Sequence, residues 1–150
     1  MTQSIPRTDP RKRAFYRHFA TISTRWSDND AYGHINNTVY YAWCDSAVNA
    51  WLVGQGLLDI ASGDPIGLVV ETGCRYFVPL SFPGEVEVGM TVERVGNSSV
   101  TYLLGVFAHG SETPAAEAHF THVYVGRDRR RPVTLPGNWV EKLALLSSRL

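Results

Sequence analysis

Sixteen consecutive residues hold the densest grouping of reactive side chains in the chain: Arg25-Trp26-Ser27-Asp28-Asn29-Asp30-Ala31-Tyr32-Gly33-His34-Ile35-Asn36-Asn37-Thr38-Val39-Tyr40. The two carboxylates, His34 and the amides Asn36 and Asn37 all fall between Asp28 and Asn37. A carboxylate beside an electrophilic carbonyl can take a proton from water or attack the carbonyl itself. Unpaired backbone N–H groups at the start of a helix can polarise that carbonyl and stabilise an oxyanion. Gly33, lacking a Cβ, lets backbone approach a ligand closely. The same residue types are also ordinary turn and cap formers, with Asp28 and Asp30 shaping a turn and Asn36 and Asn37 capping a helix. Taken singly, the residues leave both readings open. Taken as one run, they describe a site.

Such a site needs elements that hold it. The segment from His18 to Arg25 has β-branched and aromatic residues suited to a strand, ending at the turn-rich run from Ser27 to Asp30. From Thr38 to Val53, apolar side chains at positions 39, 40, 43, 44, 47, 50 and 51 recur at helical spacing, with Asp45, Ser46 and Asn49 opposite. Asn36 and Asn37 suit its N-terminal cap, and Gly54 suits a left-handed end. Gly67 to Phe77 reads as a strand, and Pro79 to Gly84 as a turn region. Val86, Val88, Met90 and Val92 then alternate with Glu85, Glu87, Gly89, Thr91 and Glu93 as a one-face-covered strand does. Gly96-Asn97 makes a turn, Ser99 to His109 and Ala115 to Val125 supply two more strands, and Asn138 to Ser147 suits a short helical tail. Strand, long helix, then four consecutive strands predicts an antiparallel meander of about five strands wrapped around one long central helix. That is an α+β hotdog architecture, a single domain over 1–150 with a basic arm at 1–17 and a tail or short helix at 136–150. Apolar residues on the outer face of the sheet predict a partner chain.

Composition narrows the classes. At 150 residues and 44% hydrophobic, the chain can bury one sizeable core. No stretch approaches a membrane span and the polar, basic start has no secretory signal, so the expected location is the cytoplasm. Cys44 and Cys74 imply neither a disulfide framework nor a zinc motif and are expected as unpaired thiols. The formal net charge is zero, yet between His18 and Gly126 eleven acids meet only three bases, Arg25, Arg75 and Arg94. Most of the remaining positive charge sits in Arg7, Arg11, Lys12, Arg13 and Arg17 and in Arg127, Arg129, Arg130 and Arg131. Without interleaved aromatics or a binding module, nucleic acid is not expected; the ends read as solvated arms, or the second cluster as a contact for ligand phosphates. No Gly-x-Ser-x-Gly elbow and no nucleotide loop occurs. His119 and His122 point to opposite faces of a strand, so no metal site is expected.

The loop resembles the active-site loop of hotdog thioesterases of the 4-hydroxybenzoyl-CoA thioesterase family. Their pattern, Asp-x-Asp-x-x-Gly followed ten residues after the second Asp by Tyr, falls here on Asp28, Asp30, Gly33 and Tyr40. Trp26-Ser27-Asp28-Asn29-Asp30 and His34-Ile35-Asn36-Asn37 also resemble plant-type acyl-ACP thioesterases. Arg75-Tyr76-Phe77-Val78-Pro79-Leu80, Gly84-Glu85, Arg131-Pro132 and Leu135-Pro136 extend the likeness over nearly the whole chain. The benzoyl-type enzymes carry an apolar residue where His34 stands, which favours fatty-acyl or short-acyl branches.

The resemblance implies Asp30 as the catalytic carboxylate, assisted by His34 and Asn37, with Gly33, Asn36, Tyr40, Glu71 and Arg75 at the substrate. It implies hydrolysis of acyl-CoA or acyl carrier protein thioesters, with coenzyme A as part of the substrate, no cofactor and no metal. It further implies a homodimer or homotetramer with the site at the subunit interface, Glu71 arriving from the neighbouring subunit and Arg75 or the Arg127 to Arg131 cluster near the phosphates. The alternatives are a hotdog dehydratase or hydratase and a non-catalytic acyl-CoA-binding domain.

Overall fold

The computed structural model describes residues 9–147; Arg7 and the last three residues of the tail lie outside them. The elements run β1 (His18–Ser23), α1 (Asn37–Gly54), β2 (Ile66–Tyr76), β3 (Glu85–Val95), β4 (Ser99–Ala108), β5 (Ala116–Val125) and α2 (Gly137–Leu146), with short 3-10 turns at Arg13–Phe15 and Trp26–Asp28. All strands form one antiparallel sheet in the order β1-β3-β4-β5-β2. Only β3, β4 and β5 meander. The expected run of four hairpin-connected strands is corrected at β2, which crosses to the far edge beside β5 rather than pairing with β3. The connection over residues 77–84 explains this, because its backbone is engaged elsewhere: Leu80 accepts from the Ile35 N–H at 2.7 Å and the Phe82 N–H donates to Asn29 Oδ1 at 3.0 Å.

Helix α1 lies on the concave face because it is apolar almost all round, burying Tyr40, Trp43, Cys44, Ala47, Val48, Trp51 and Leu52. It meets Val86, Val88, Met90 and Val92 of β3, the face that alternation assigns to the core. Asn36 caps the helix, its Oδ1 accepting from the Thr38 N–H at 2.9 Å. Gly54 does not end it in the left-handed region. The helix continues through Gly54 and Gln55 caps it in right-handed conformation, so the positive φ of 73° falls on Gly56. Helix α2 adds Trp139, Leu143 and Leu146 to the core. No helix among the described residues is long and apolar enough to cross a membrane. Cys44 is buried, Cys74 half-buried, and both are free thiols.

The basic arm is fastened to the sheet through Arg13 and Tyr16, while Arg11, Lys12 and Arg17 stay exposed. Gly89 of β3 faces Gly105 of β4 in register, leaving a slot on the convex face, and the Tyr16 ring fills it. Phe19 and Phe107 close edge-on around that ring at 6.3 and 5.7 Å. Arg13 then stacks over Phe19 and Phe107 and meets Glu87 at 3.1 Å. The Arg11 N–H donates to Glu117 Oε1 at 2.8 Å. In the second basic cluster, the Arg127 guanidinium donates to the carbonyls of Gly63, Ile60 and Asp59, so it is a clasp on the α1–β2 loop; Arg129, Arg130 and Arg131 remain exposed.

Two outcomes follow from this packing. A Cβ at Gly105 would sit 2.7 Å from the Tyr16 ring; Gly105→Ala is expected to displace the strap and cost about 1–3 kcal/mol in chemical denaturation, with faster proteolysis before His18. Burial holds the imidazole of His122 below its ordinary value of 6.5. The unfolded chain therefore binds that proton more readily, and the stability held by the neutral ring is complete above pH 6.5 and declines as pH falls through the lower folded value. Denaturation midpoints between pH 6.5 and 5 are expected to fall for the native chain and to flatten in His122→Phe; parallel slopes would contradict this.

Candidate active site

The loop between β1 and α1 is folded by its own backbone. The Asp30 N–H donates to the His34 carbonyl at 2.7 Å and the Gly33 N–H to the Asp30 carbonyl at 3.1 Å. Gly33 has a φ of 79°, the left-handed conformation this tight reversal requires. The Ile35 N–H goes to Leu80 and the Asn36 N–H to the Asp28 carbonyl at 2.9 Å, which tie the loop to the β2–β3 crossing and to its own start. The Ser81 hydroxyl closes the other side by donating to the Gly33 carbonyl at 2.9 Å.

The two aspartates are thereby separated in role. Asp28 is 1% exposed; its carboxylate accepts the Arg25 N–H at 2.7 Å and the Arg25 guanidinium at 3.2 Å. It holds the turn. Asp30 is half-buried, and its Oδ1 accepts the N–H groups of Tyr32 at 2.8 Å and His34 at 3.3 Å. Its Oδ2 has no protein hydrogen bond among the described residues, so an oriented carboxylate keeps one oxygen for a reactant.

The same accounting narrows the expected oxyanion donors. Of the backbone N–H groups from Gly33 to Asn37, those of residues 33 to 36 are already engaged within the fold. The Asn37 N–H, at the first position of α1, has no partner among the described residues. It is one of the unpaired donors that every helix start carries.

Asp30, His34, Ile35, Asn37 and Tyr40 share one cleft of about 370 Å³ with Tyr76, Phe77, Val78 and Pro79. Tyr40 is buried with its ring 5.0 Å from Tyr76, and burial pushes its hydroxyl above the ordinary tyrosine range. The Tyr76 hydroxyl donates to the Asn37 carbonyl at 3.0 Å, fixing the cleft wall to the helix start. The sequence marks the wall from Tyr76 to Pro79 only as part of the family likeness over residues 75–80 and not as site. Gly33 and Asn36 shape the cleft without lining it. Glu71 and Arg75 lie elsewhere in this chain, Glu71 3.2 Å from His119 Nε2 and Arg75 3.5 Å from Glu117. No group of three or more His, Cys, Asp or Glu side chains among the described residues could hold a metal ion.

Comparisons with known proteins give the family and the fold. A family model described as the thioesterase-like superfamily matches residues 24–143. The PA5185 protein of Pseudomonas aeruginosa is 48% identical, with 93% of this chain and 98% of that one aligned at a TM-score of 0.90. Slr0204, a 1,4-dihydroxy-2-naphthoyl-CoA thioesterase from Synechocystis, shares the fold at 19% identity and a TM-score of 0.75, covering 84% of this chain and 94% of its own. No curated protein matches the sequence.

The role of Asp28 is testable by itself. Asp28→Ala leaves the Arg25 N–H unpaired in the turn and is expected to cost about 1–3 kcal/mol on denaturation. Unchanged stability would show that Asp28 does not hold the loop.

Proposed function

The chain belongs to the thioesterase-like superfamily, and from that premise we propose that it hydrolyses acyl-CoA thioesters to the free acid and coenzyme A. The observation that carries the reading is the pairing, in one cleft, of the free Oδ2 of an oriented Asp30 with the unengaged N–H of Asn37. The thioester carbonyl accepts from that N–H, which gathers the negative charge as the carbonyl carbon becomes tetrahedral. Asp30 either takes a proton from the attacking water or attacks directly to give an anhydride that water then opens. In both routes the carbon–sulfur bond breaks and the thiolate leaves to take up a proton. His34, exposed at the cleft, orients the carbonyl or the water. The apolar wall from Phe77 to Pro79 excludes solvent from one side.

We further propose a homodimer, or a tetramer built from it. Strand β2 is a sheet edge with Val69 and Val70 exposed at 48% and 58%, a surface that a second copy would cover. In that arrangement Glu71 reaches the site from the partner, and Arg75 with Arg129 to Arg131 meets the coenzyme phosphates.

Thiol release from short, medium, long and aromatic acyl-CoAs is expected for the native protein. It is expected to fall by two or more orders of magnitude in Asp30→Asn with the denaturation midpoint retained. Hydrated product, or unchanged ligand, from the native protein would instead indicate a hydratase or a binding domain.

A further inference from the structure

Tyr76 closes β2, and its backbone is fixed there: it is the last residue paired with β5, opposite Ala116, and the next N–H, that of Phe77, donates to the Ala115 carbonyl at 2.8 Å. Its ring lies edge-on to Tyr40 of α1, with centroids 5.0 Å apart. Tyr40 is itself buried and packs against Trp43 at 5.3 Å. The Tyr76 ring is therefore held by the sheet at its root and by the helix along its side.

The hydroxyl at the end of this ring donates to the Asn37 carbonyl at 3.0 Å, joining positions 39 residues apart in the chain. Helical pairing gives the same carbonyl to the Tyr41 N–H, and its two lone pairs can accept both. The bond is made where a helix is weakest, because end turns fray. Yet the Asn37 N–H is the donor left over for a substrate. Such a donor lowers the cost of a developing oxyanion only when it is already aimed, to within about 0.5 Å. Asn36 holds the preceding peptide, its N–H on the Asp28 carbonyl and its side chain on the Thr38 N–H. Those bonds are local to the loop and the first turn. The Tyr76 hydroxyl ties Asn37 to the sheet. Burial first, then the neighbouring Cys74 thiol and Tyr41 hydroxyl, push the Tyr76 hydroxyl above the ordinary tyrosine range, so it keeps the proton it donates.

We infer that Tyr76 is a positioning residue, whose hydroxyl holds the Asn37 carbonyl and thereby keeps the Asn37 N–H aimed at the thioester oxygen. The inference rests on the acyl-thioester reading of the Asp30 cleft. Tyr76 acts on the rate of the bound complex and not on substrate capture, because its proton is given to the protein.

Tyr76→Phe keeps the ring and removes one hydroxyl. On the acyl-CoAs that the native protein hydrolyses, kcat is expected to fall about three- to tenfold, the range of one hydrogen bond, with KM within about twofold of native. Asn37→Pro supplies a second background. Proline is well accepted at the first position of a helix, and Asn36, at φ −60° and ψ 138°, already has the extended backbone that a following proline requires. That variant deletes the N–H and keeps the helix, so adding Tyr76→Phe is expected to lower the residual kcat no further. An unchanged kcat in Tyr76→Phe, a loss confined to KM, or an equal loss in the Asn37→Pro background overturns the inference. Should the native protein hydrolyse no thioester, the acyl-thioester reading fails and amide hydrogen exchange decides the positioning separately. The Tyr41 amide is then expected to exchange about three- to tenfold faster in Tyr76→Phe than in the native chain, with the Val48 amide unchanged; equal exchange at Tyr41 overturns the inference.

Discussion

Helix α1 has only a narrow polar side, and a helix of that kind is stable only when something wraps it. Five antiparallel strands are the wrapping, and their curl fixes where the helix can begin. The first turn of α1 must emerge at the rim of the sheet, because its core-facing side chains start at Tyr40. The loop before it is consequently pinned between the rim and the helix. The geometry of the candidate site is a by-product of burial.

Within that loop, the decisive feature is how the backbone donors are shared out. Four successive N–H groups are consumed by Asp30, Leu80 and Asp28, and the next is left over at the helix start. A donor left unpaired because the helix has just begun carries no reorganisation cost when charge develops nearby. The Asp30 carboxylate is aimed by the same bonds that close the turn, so orientation of the acid and exposure of the donor are one structural event.

The sequence was informative wherever a period carried the message. The spacing of α1 and the alternation of β3 specified their buried faces, and the Asx-rich run pointed to the candidate site. Pairing partners were less visible, since the pattern of β2 states that it is a strand but not which strand it joins. That choice is made by the 77–84 connection, whose backbone bonds to Asn29 and Ile35 have no sequence signature. Asp28 and Asp30 are chemically alike on paper, and only burial against Arg25 separates the brace from the carboxylate that faces the cleft. The fate of Arg13 was equally hidden, because its stacking surface exists only once β1 and β4 flank β3 and bring Phe19 and Phe107 together around Tyr16. Alternation put His122 on a face without revealing that one of its nitrogens would lack a partner.

The slot that holds Tyr16 joins three positions far apart in the chain. Neither glycine has a reason of its own to persist, and the tyrosine without both of them would have nowhere to lie. Among descendants of this sequence, drift at Tyr16, Gly89 and Gly105 should therefore be concerted: a lineage that loses the ring releases both strands to acquire side chains, and one that fills the slot must find another way to fasten its leading segment. The three residues are inherited as a single character.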